Sequence, residues 1–175
     1  RGFYDTQFFV TIATETKDAV VYYTLDGTPP FDIEGRFLTG TPYTGPIQIR
    51  TTTTLRAMAF RPGWKPTNMD AQTYIFLDDV IKQDGAGFPN TWGHAGADYE
   101  MDPEVVGDPR YRDTIKDDLK SIPTMSIVTS VQNYDIYANP RERGEAWERP
   151  VSVELFYPND DQQGFQINAG LRIQG

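Results

Sequence analysis

Five short segments of β-forming residues, separated by turns rich in glycine and proline, fill the first 77 residues of the chain. The segments span residues 7–13, 19–25, 46–50, 54–60 and 71–76. Threonine and aromatic residues are frequent here, and no helical period of useful length is present. Short strands at this spacing usually pair antiparallel and need a second layer to bury their apolar faces. The pattern predicts an Ig-like or fibronectin-like antiparallel sandwich over residues 1–77.

Residues 78–122 have a different composition and predict a connector made of loops and one helix. The part from 84 to 97 is rich in glycine and turn-forming residues. Asp108 followed by Pro109 is typical of a helix start, and Tyr111, Ile115 and Leu119 recur every four residues. We therefore expect a helix near 109–120.

Residues 123–175 return to β structure. The segment 124–130 predicts a buried strand, and 150–157 and 165–173 predict a hairpin with a longer loop than the tight two-residue kind. Because the last strand has little sequence after it, we expect these residues to be the opening part of a truncated β-rich domain within a longer protein. The predicted fold class is mainly β throughout.

The distribution of charge marks the same boundaries. The chain of 175 residues has a net charge of −9 and no cysteine. Residues 1–77 are neutral overall, residues 78–120 carry −6 and residues 121–175 carry −3. This acidity argues against a nucleic-acid partner. The absence of a run of about 20 apolar residues argues against membrane insertion.

Three motifs in the first 77 residues occur in a fixed order. The first is YTLDGTPP, with Tyr23, Asp26, Gly27 and Pro30; the second is YTGPI, with Tyr43, Gly45 and Pro46; the third is TTLRAMA at 53–59. Together they resemble the chitobiase/β-hexosaminidase C-terminal domain. The resemblance implies an Ig-like accessory module of secreted carbohydrate-active or surface proteins, without catalytic residues of its own.

A second resemblance covers residues 123–175. It rests on PTMSIV at 123–128, RGEAWERPVSVEL at 143–155 and NAGLRIQG at 168–175. These segments resemble the N-terminal end of the spore-coat CotH kinase family. Large secreted proteins of planctomycetes and related bacteria join the two modules through a linker similar to the one around Phe88, Trp92 and 98–103. The family's acidic catalytic residues lie beyond the part that is matched, so no catalytic residue is assigned.

Asp26 and Trp64 are the candidate residues of the first domain. Asp26 with Gly27 is typical of a turn in which the carboxylate accepts backbone N–H groups, and a ligand role is the alternative. Trp64 follows the turn formed by Pro62 and Gly63, where an exposed ring would stack on a sugar. The alternative for Trp64 is a ring that closes one end of the sandwich.

Two further groups of residues are candidates for cation and phosphate binding. Asp98, Glu100 and Asp102 alternate as Ca²⁺ ligands do, with His94 as a possible nitrogen ligand; a solvated acidic loop is the alternative. Arg143 and Arg149 would suit nucleotide phosphates in an intact kinase-like domain. The alternative for them is a structural ion-pair network with Glu142, Glu145 and Glu148.

These observations predict a noncatalytic accessory, adhesion or scaffolding module of a large secreted or cell-surface bacterial protein. Its partners would be other domains of the same polypeptide, with glycans or surface proteins as further candidates. One alternative is the front part of an ATP- and Mg²⁺-dependent kinase, active only when complete. The other is a carbohydrate-binding module.

Overall fold

The computed structural model of the chain describes residues 1–91, 96–158 and 162–173. Its class is mainly β, which confirms the prediction. The strands of the first 77 residues are β1 (Gly2–Phe3), β2 (Phe8–Val10), β3 (Val20–Thr24), β4 (Thr41–Pro42), β5 (Ile47–Ile49), β6 (Thr53–Phe60) and β7 (Asp70–Ile75). The five predicted strands are present, and the short β1 and β4 were not predicted.

Two sheets form the sandwich. Five strands lie in the order β1-β7-β6-β3-β4, and β2 pairs with β5 in a separate two-stranded sheet. All pairs are antiparallel except β1 with β7, which is parallel. Between the sheets lies a buried apolar cluster. Its members are Val21, Ile47, Ile49, Leu55, Ala57, Ala59, Tyr74 and Phe76.

The described residues of the connector form three short helices in place of one longer helix. They are α1 (Leu77–Val80), α2 (Pro103–Val106) and α3 (Ile115–Leu119). The predicted helix over 109–120 is therefore too long, because residues 109–114 form consecutive turns. Of the predicted apolar stripe only Ile115 is buried, while Tyr111 is exposed. A stripe without a surface to cover it gives little support to a longer helix.

The remaining strands form a third sheet. They are β8 (Thr124–Val128), β9 (Arg149–Phe156) and β10 (Phe165–Leu171), in the order β10-β9-β8 with antiparallel pairing. The predicted hairpin is thus β9 with β10. Between β8 and β9 lie a 3₁₀ turn, the helix α4 (Asp135–Ala138) and a second 3₁₀ turn. Among the described residues, no helix is long and apolar enough to cross a membrane.

The third sheet lies against the outer face of the five-stranded sheet, so the described residues form three β layers. Asn168 in β10 donates to the carbonyl oxygen of Met69 at 2.9 Å, and the rings of Phe3 and Phe156 meet edge to face at 5.7 Å. The third sheet turns its polar face toward the sandwich of residues 1–77, which we call the first unit. The predicted strand at 124–130 is present as β8, but the prediction that it is buried is wrong, since Met125 and Ile127 point outward and are exposed.

Candidate functional site

An arginine in the middle of β6 lies between the first and third layers. Leu55 and Ala57 point into the sandwich core, so the alternation of the strand sends Arg56 to the opposite face. Arg56 is only 1% exposed and donates to the carbonyl oxygen of Val128 at 2.5 Å and to Ser152 Oγ at 3.3 Å. Its Nε has no hydrogen-bond partner among the described residues. Burial lowers the pKa of Arg56 to about 10, so the guanidinium stays charged at neutral pH.

Glu154 in β9 is the buried acidic group of the same layer boundary. Its Oε2 accepts a hydrogen bond from Thr73 Oγ1 at 2.5 Å. Because the Thr73 hydroxyl gives its single hydrogen to Glu154, Ser126 Oγ at 2.7 Å is the donor to Thr73. The other carboxylate oxygen lies 3.9 Å from Arg1 Nη1 and accepts no hydrogen bond from the described residues. The buried groups of Arg56 and Glu154 are therefore each only partly satisfied by hydrogen bonds.

We call the contacts of Arg56, Thr73, Ser126, Ser152 and Glu154 the polar seam. Its hydroxyl groups have structural partners: Ser126 bonds to Thr73, and Ser152 donates to Asn168 Oδ1 at 3.0 Å. Groups buried and paired in this way link two sheets and are closed to a substrate. The polar seam was not predicted, although an arginine in the otherwise apolar segment 55–60 was a visible signal.

The YTLDGTPP motif forms a turn that touches the polar seam. Asp26 Oδ1 accepts from the backbone N–H of Thr28 at 3.0 Å and from its hydroxyl at 2.6 Å. Burial opposes ionisation of Asp26, but these hydrogen bonds outweigh it and lower its pKa. Gly27 has a φ of +78°, and a Cβ there would lie 3.0 Å from Val128 Cγ1. The turn therefore has a structural role, since it packs against β8 of the third sheet.

The other motif residues lie in and around the sandwich. Tyr23 packs against the core with Tyr43, and their ring centroids are 6.5 Å apart. Pro30 is buried, and its carbonyl oxygen accepts from Leu38 N at 2.9 Å. Gly45 and Pro46 come directly before β5. A Cβ added at Gly45 would meet no atom within 4 Å, so the site has room for a side chain.

Trp64 is at the surface and does not close the sandwich. Its side chain is 66% exposed, and the Arg61 guanidinium lies 5.6 Å from the ring centroid. The turn is held by a hydrogen bond from Trp64 N to the carbonyl oxygen of Arg61 at 3.0 Å. Beside it, a groove of about 240 Å³ is lined by residues that include Ile33, Lys65 and Asn68. Trp64 is therefore an exposed aromatic ring on a turn, as its candidate role requires.

The acidic candidates of the connector interact with the backbone. Asp98 accepts from Glu100 N at 3.2 Å, and Asp102 accepts from Glu104 N at 2.8 Å, where it caps α2. In the part of the chain that the structure describes, no three acidic or histidine side chains are grouped to hold a metal ion. Trp92 and His94 lie outside the described residues.

The two candidate phosphate ligands are in different surroundings. Arg149 donates to both oxygens of Asp135, at 2.9 and 2.8 Å, and lies 5.1 Å from the Trp147 ring centroid. This hydrogen bonding raises the pKa of Arg149 and lowers that of Asp135. Arg143 instead lines a cleft of about 550 Å³ with Trp147 and Arg172. Two ion pairs are present in this region: Arg149 pairs with Asp135, and Arg172 pairs with Glu148.

The geometry of the first unit agrees with what a comparison of families finds. Residues 1–71 match the family model of the chitobiase/beta-hexosaminidase C-terminal domain. The match covers β1 to β6 and the start of β7, including all three motifs. No curated protein matches the chain, and no solved structure matches it. The resemblance of residues 123–175 to the CotH kinase family has no counterpart in these comparisons.

Proposed function

We propose that the chain is a noncatalytic accessory module of a secreted or cell-surface bacterial protein associated with carbohydrates, and that it holds neighbouring domains of that polypeptide in a fixed arrangement. The match of residues 1–71 to an accessory domain of carbohydrate-active proteins supports the class of function. The observation that carries the scaffolding role is the polar seam. It joins a complete sandwich to a following sheet through buried side chains on both sides.

Buried hydrogen bonds fix the orientation of the two layers. A surface contact of exposed charges tolerates sliding, whereas Arg56 must find the Val128 carbonyl and Ser152 together to avoid a buried unpaired charge. A displacement of the third sheet by a few ångströms would break these hydrogen bonds and those of Glu154. The seam therefore favours one orientation over others.

The absence of cysteine makes this rigidity measurable. Lys17 and Glu142 are exposed, lie in different units and can each be replaced by cysteine for spin labelling. We expect one narrow distance distribution between the two labels, and a broader distribution when Arg56→Ala is added. Trp64→Ala is the matched control and should leave the distribution narrow. A broad distribution in the parent labelled protein would contradict the scaffolding role.

Carbohydrate binding through Trp64 is a second candidate, favoured by its exposure beside Arg61. An indole face stacks on the apolar face of a pyranose, and a nearby guanidinium can donate to ring hydroxyls. Binding on a glycan array should be lost with Trp64→Ala and kept with Phe9→Ala, an equally exposed aromatic residue of the same unit. An array without bound glycans would oppose this candidate.

The alternative of a kinase front part has less support in the geometry. Arg149 is engaged with Asp135 and Trp147, so it is not free for a nucleotide phosphate. We expect the chain to show no phosphotransfer with ATP and Mg²⁺ on a generic protein substrate. Measurable turnover by this chain would contradict the accessory function.

A further inference from the structure

The segment from residue 61 to residue 67, RPGWKPT, carries two positive charges and no negative charge. We call it the Trp64 turn. Its cations are Arg61 and Lys65, which lie on either side of Trp64 in the sequence. Among the described residues neither side chain has an ion-pair partner, and the Arg61 guanidinium contacts the indole ring instead. The turn therefore presents an exposed ring together with two unpaired positive charges.

Most other cations of the first unit have a partner close to them. Arg36 pairs with Asp32 at 2.5 Å, and Arg1 lies 3.9 Å from Glu154. Arg56 is buried in the polar seam. The first unit has no net charge, so two cations without partners in one short turn form a local positive region on it. This positive charge is available to an anionic ligand.

The ring and the two cations are held in a defined arrangement. The Arg61 guanidinium occupies one face of the Trp64 ring, 5.6 Å from its centroid, and the side chain of Trp64 is 66% exposed. The opposite face is thus open for stacking. The hydrogen bond from Trp64 N to the carbonyl oxygen of Arg61, at 3.0 Å, and the positive φ of Gly63 close the turn between them. A ligand therefore meets groups that are already positioned, which lowers the entropic cost of binding.

The groove beside the turn extends this surface. Lys65 is one of its lining residues, and Asn68 adds an exposed amide that can donate to hydroxyl groups and accept from them. The acidic residue of the lining is Asp32, whose carboxylate accepts from Arg36 N at 2.8 Å and from Arg36 Nε at 2.5 Å. Because Arg36 balances its charge, Asp32 opposes an anion at Lys65 only weakly.

We propose that the Trp64 turn binds an acidic sugar, a pyranose ring that carries a carboxylate. The apolar face of the pyranose stacks on the open face of the indole, and the carboxylate pairs with Arg61 and Lys65. Asn68 bonds to hydroxyl groups of the sugar. This inference rests on the second candidate function, carbohydrate binding through Trp64, and names the class of sugar that the site prefers.

The charge of the whole chain limits the length of the ligand. The net charge of −9 repels a long polyanion, so short oligosaccharides that contact the turn alone are the favoured ligands. An exposed ion pair strengthens binding by up to about fivefold, and we therefore expect about a tenfold preference for the acid over its neutral counterpart. Salt should reduce this preference, because it screens exposed charges.

Titrations followed by NMR of the ¹⁵N-labelled intact chain test the proposal. The probes are trisaccharides of galacturonate, glucuronate and mannuronate, each compared with its methyl ester, which has the same rings without the charge. We expect the acid to shift the amides of residues 61–68 and to bind about tenfold more tightly than the ester. Arg61→Gln and Lys65→Gln should each reduce this ratio, and Trp64→Ala should abolish binding of both forms. Arg50→Gln, which removes an exposed arginine of the same unit, is the matched control and should leave the ratio unchanged.

The outcomes separate this inference from the function on which it rests. Equal binding of acid and ester, lost in Trp64→Ala, would keep carbohydrate binding and overturn the preference for acidic sugars. The absence of shifts with every probe would overturn both. A preference that survives Arg61→Gln and Lys65→Gln would place the carboxylate elsewhere. Acid binding that persists in Trp64→Ala would be charge attraction without stacking, which also contradicts the proposal.

Discussion

The guanidinium of Arg56 and the carbonyl oxygen of Val128 are joined by a hydrogen bond of 2.5 Å, although 72 residues separate them in the chain. Arg56 belongs to β6, the central strand of the five-stranded sheet, and Val128 is the last residue of β8. The bond is charge-assisted and shielded from water, which are the conditions under which a single hydrogen bond matters most. It connects the family-matched domain to the sheet that follows.

Replacing Arg56 by alanine should therefore destabilise the whole chain. The change leaves the Val128 carbonyl and Ser152 without their donor and opens a cavity, so we expect a loss of about 2–4 kcal/mol in the free energy of unfolding. Urea denaturation measures it. Arg50→Ala is the control, because Arg50 is exposed and its side chain bonds to Gln48 alone among the described residues, and should change stability by less than about 0.5 kcal/mol. Equal effects of the two changes would show that the seam contributes nothing.

Gly27 and Gly63 offer a comparison of backbone strain with and without a neighbour. Both have positive φ, +78° and +84°, but only a Cβ at Gly27 meets another side chain, Val128 at 3.0 Å. We expect Gly63→Ala to cost about 1–2 kcal/mol from the left-handed conformation alone. Gly27→Ala should cost more, because Val128 must also move. Equal costs, measured by thermal unfolding, would mean that Val128 moves without penalty.

The pair of Asp135 and Arg149 predicts a dependence on acidic pH. Hydrogen bonding to Arg149 lowers the pKa of Asp135 below its ordinary value of 3.8. Since the folded form holds its proton less tightly than the unfolded form, the pair stabilises the fold above pH 3.8 and this contribution is lost as the pH falls through the lowered pKa. A carboxyl titration by NMR should show the shift, and Arg149→Gln should return the pKa toward 3.8. Arg172→Gln is the control, and a shift that survives Arg149→Gln would have another cause.

The acidic loop predicts a negative result with Ca²⁺. Asp98 and Asp102 use a carboxylate oxygen to accept backbone N–H groups, so we expect the melting temperature to be the same in Ca²⁺ and in chelator. Asp102→Ala should remove the cap of α2 and cost no more than about 1 kcal/mol. A rise in melting temperature with Ca²⁺ that is absent in Asp98→Ala and Asp102→Ala would instead identify a cation site.

The sandwich was predictable because its signals are local. Strand periodicity and turn residues such as Asp26 and Gly27 depend on neighbours within a few positions, and they place the central strands within one to three residues of their observed ends. The helix near 109–120 was overestimated for the converse reason. A helix of that length needs a surface on which Tyr111, Ile115 and Leu119 can pack, and only Ile115 is fully buried, while Tyr111 stays exposed.

The orientation of the third sheet could not be predicted from its sequence. Alternation of Val151, Ser152, Val153 and Glu154 indicates a strand with two different faces, and the usual expectation is that the apolar one is buried. Here the partner surface is itself polar, because β6 presents Arg56 and β7 presents Thr73. The information that decides the orientation therefore lies about 80–100 residues earlier, in a segment that no local pattern connects with β9.

The composition of the seam also affects how its opening would appear in calorimetry. Exposure of apolar surface raises the heat capacity and exposure of polar surface lowers it, so separating two layers joined mainly by hydroxyl, carboxylate and guanidinium groups changes the heat capacity little. Opening of the polar seam would then be nearly invisible in the heat-capacity baseline. A spectroscopic probe on each layer would detect an opening that leaves the heat-capacity baseline almost unchanged.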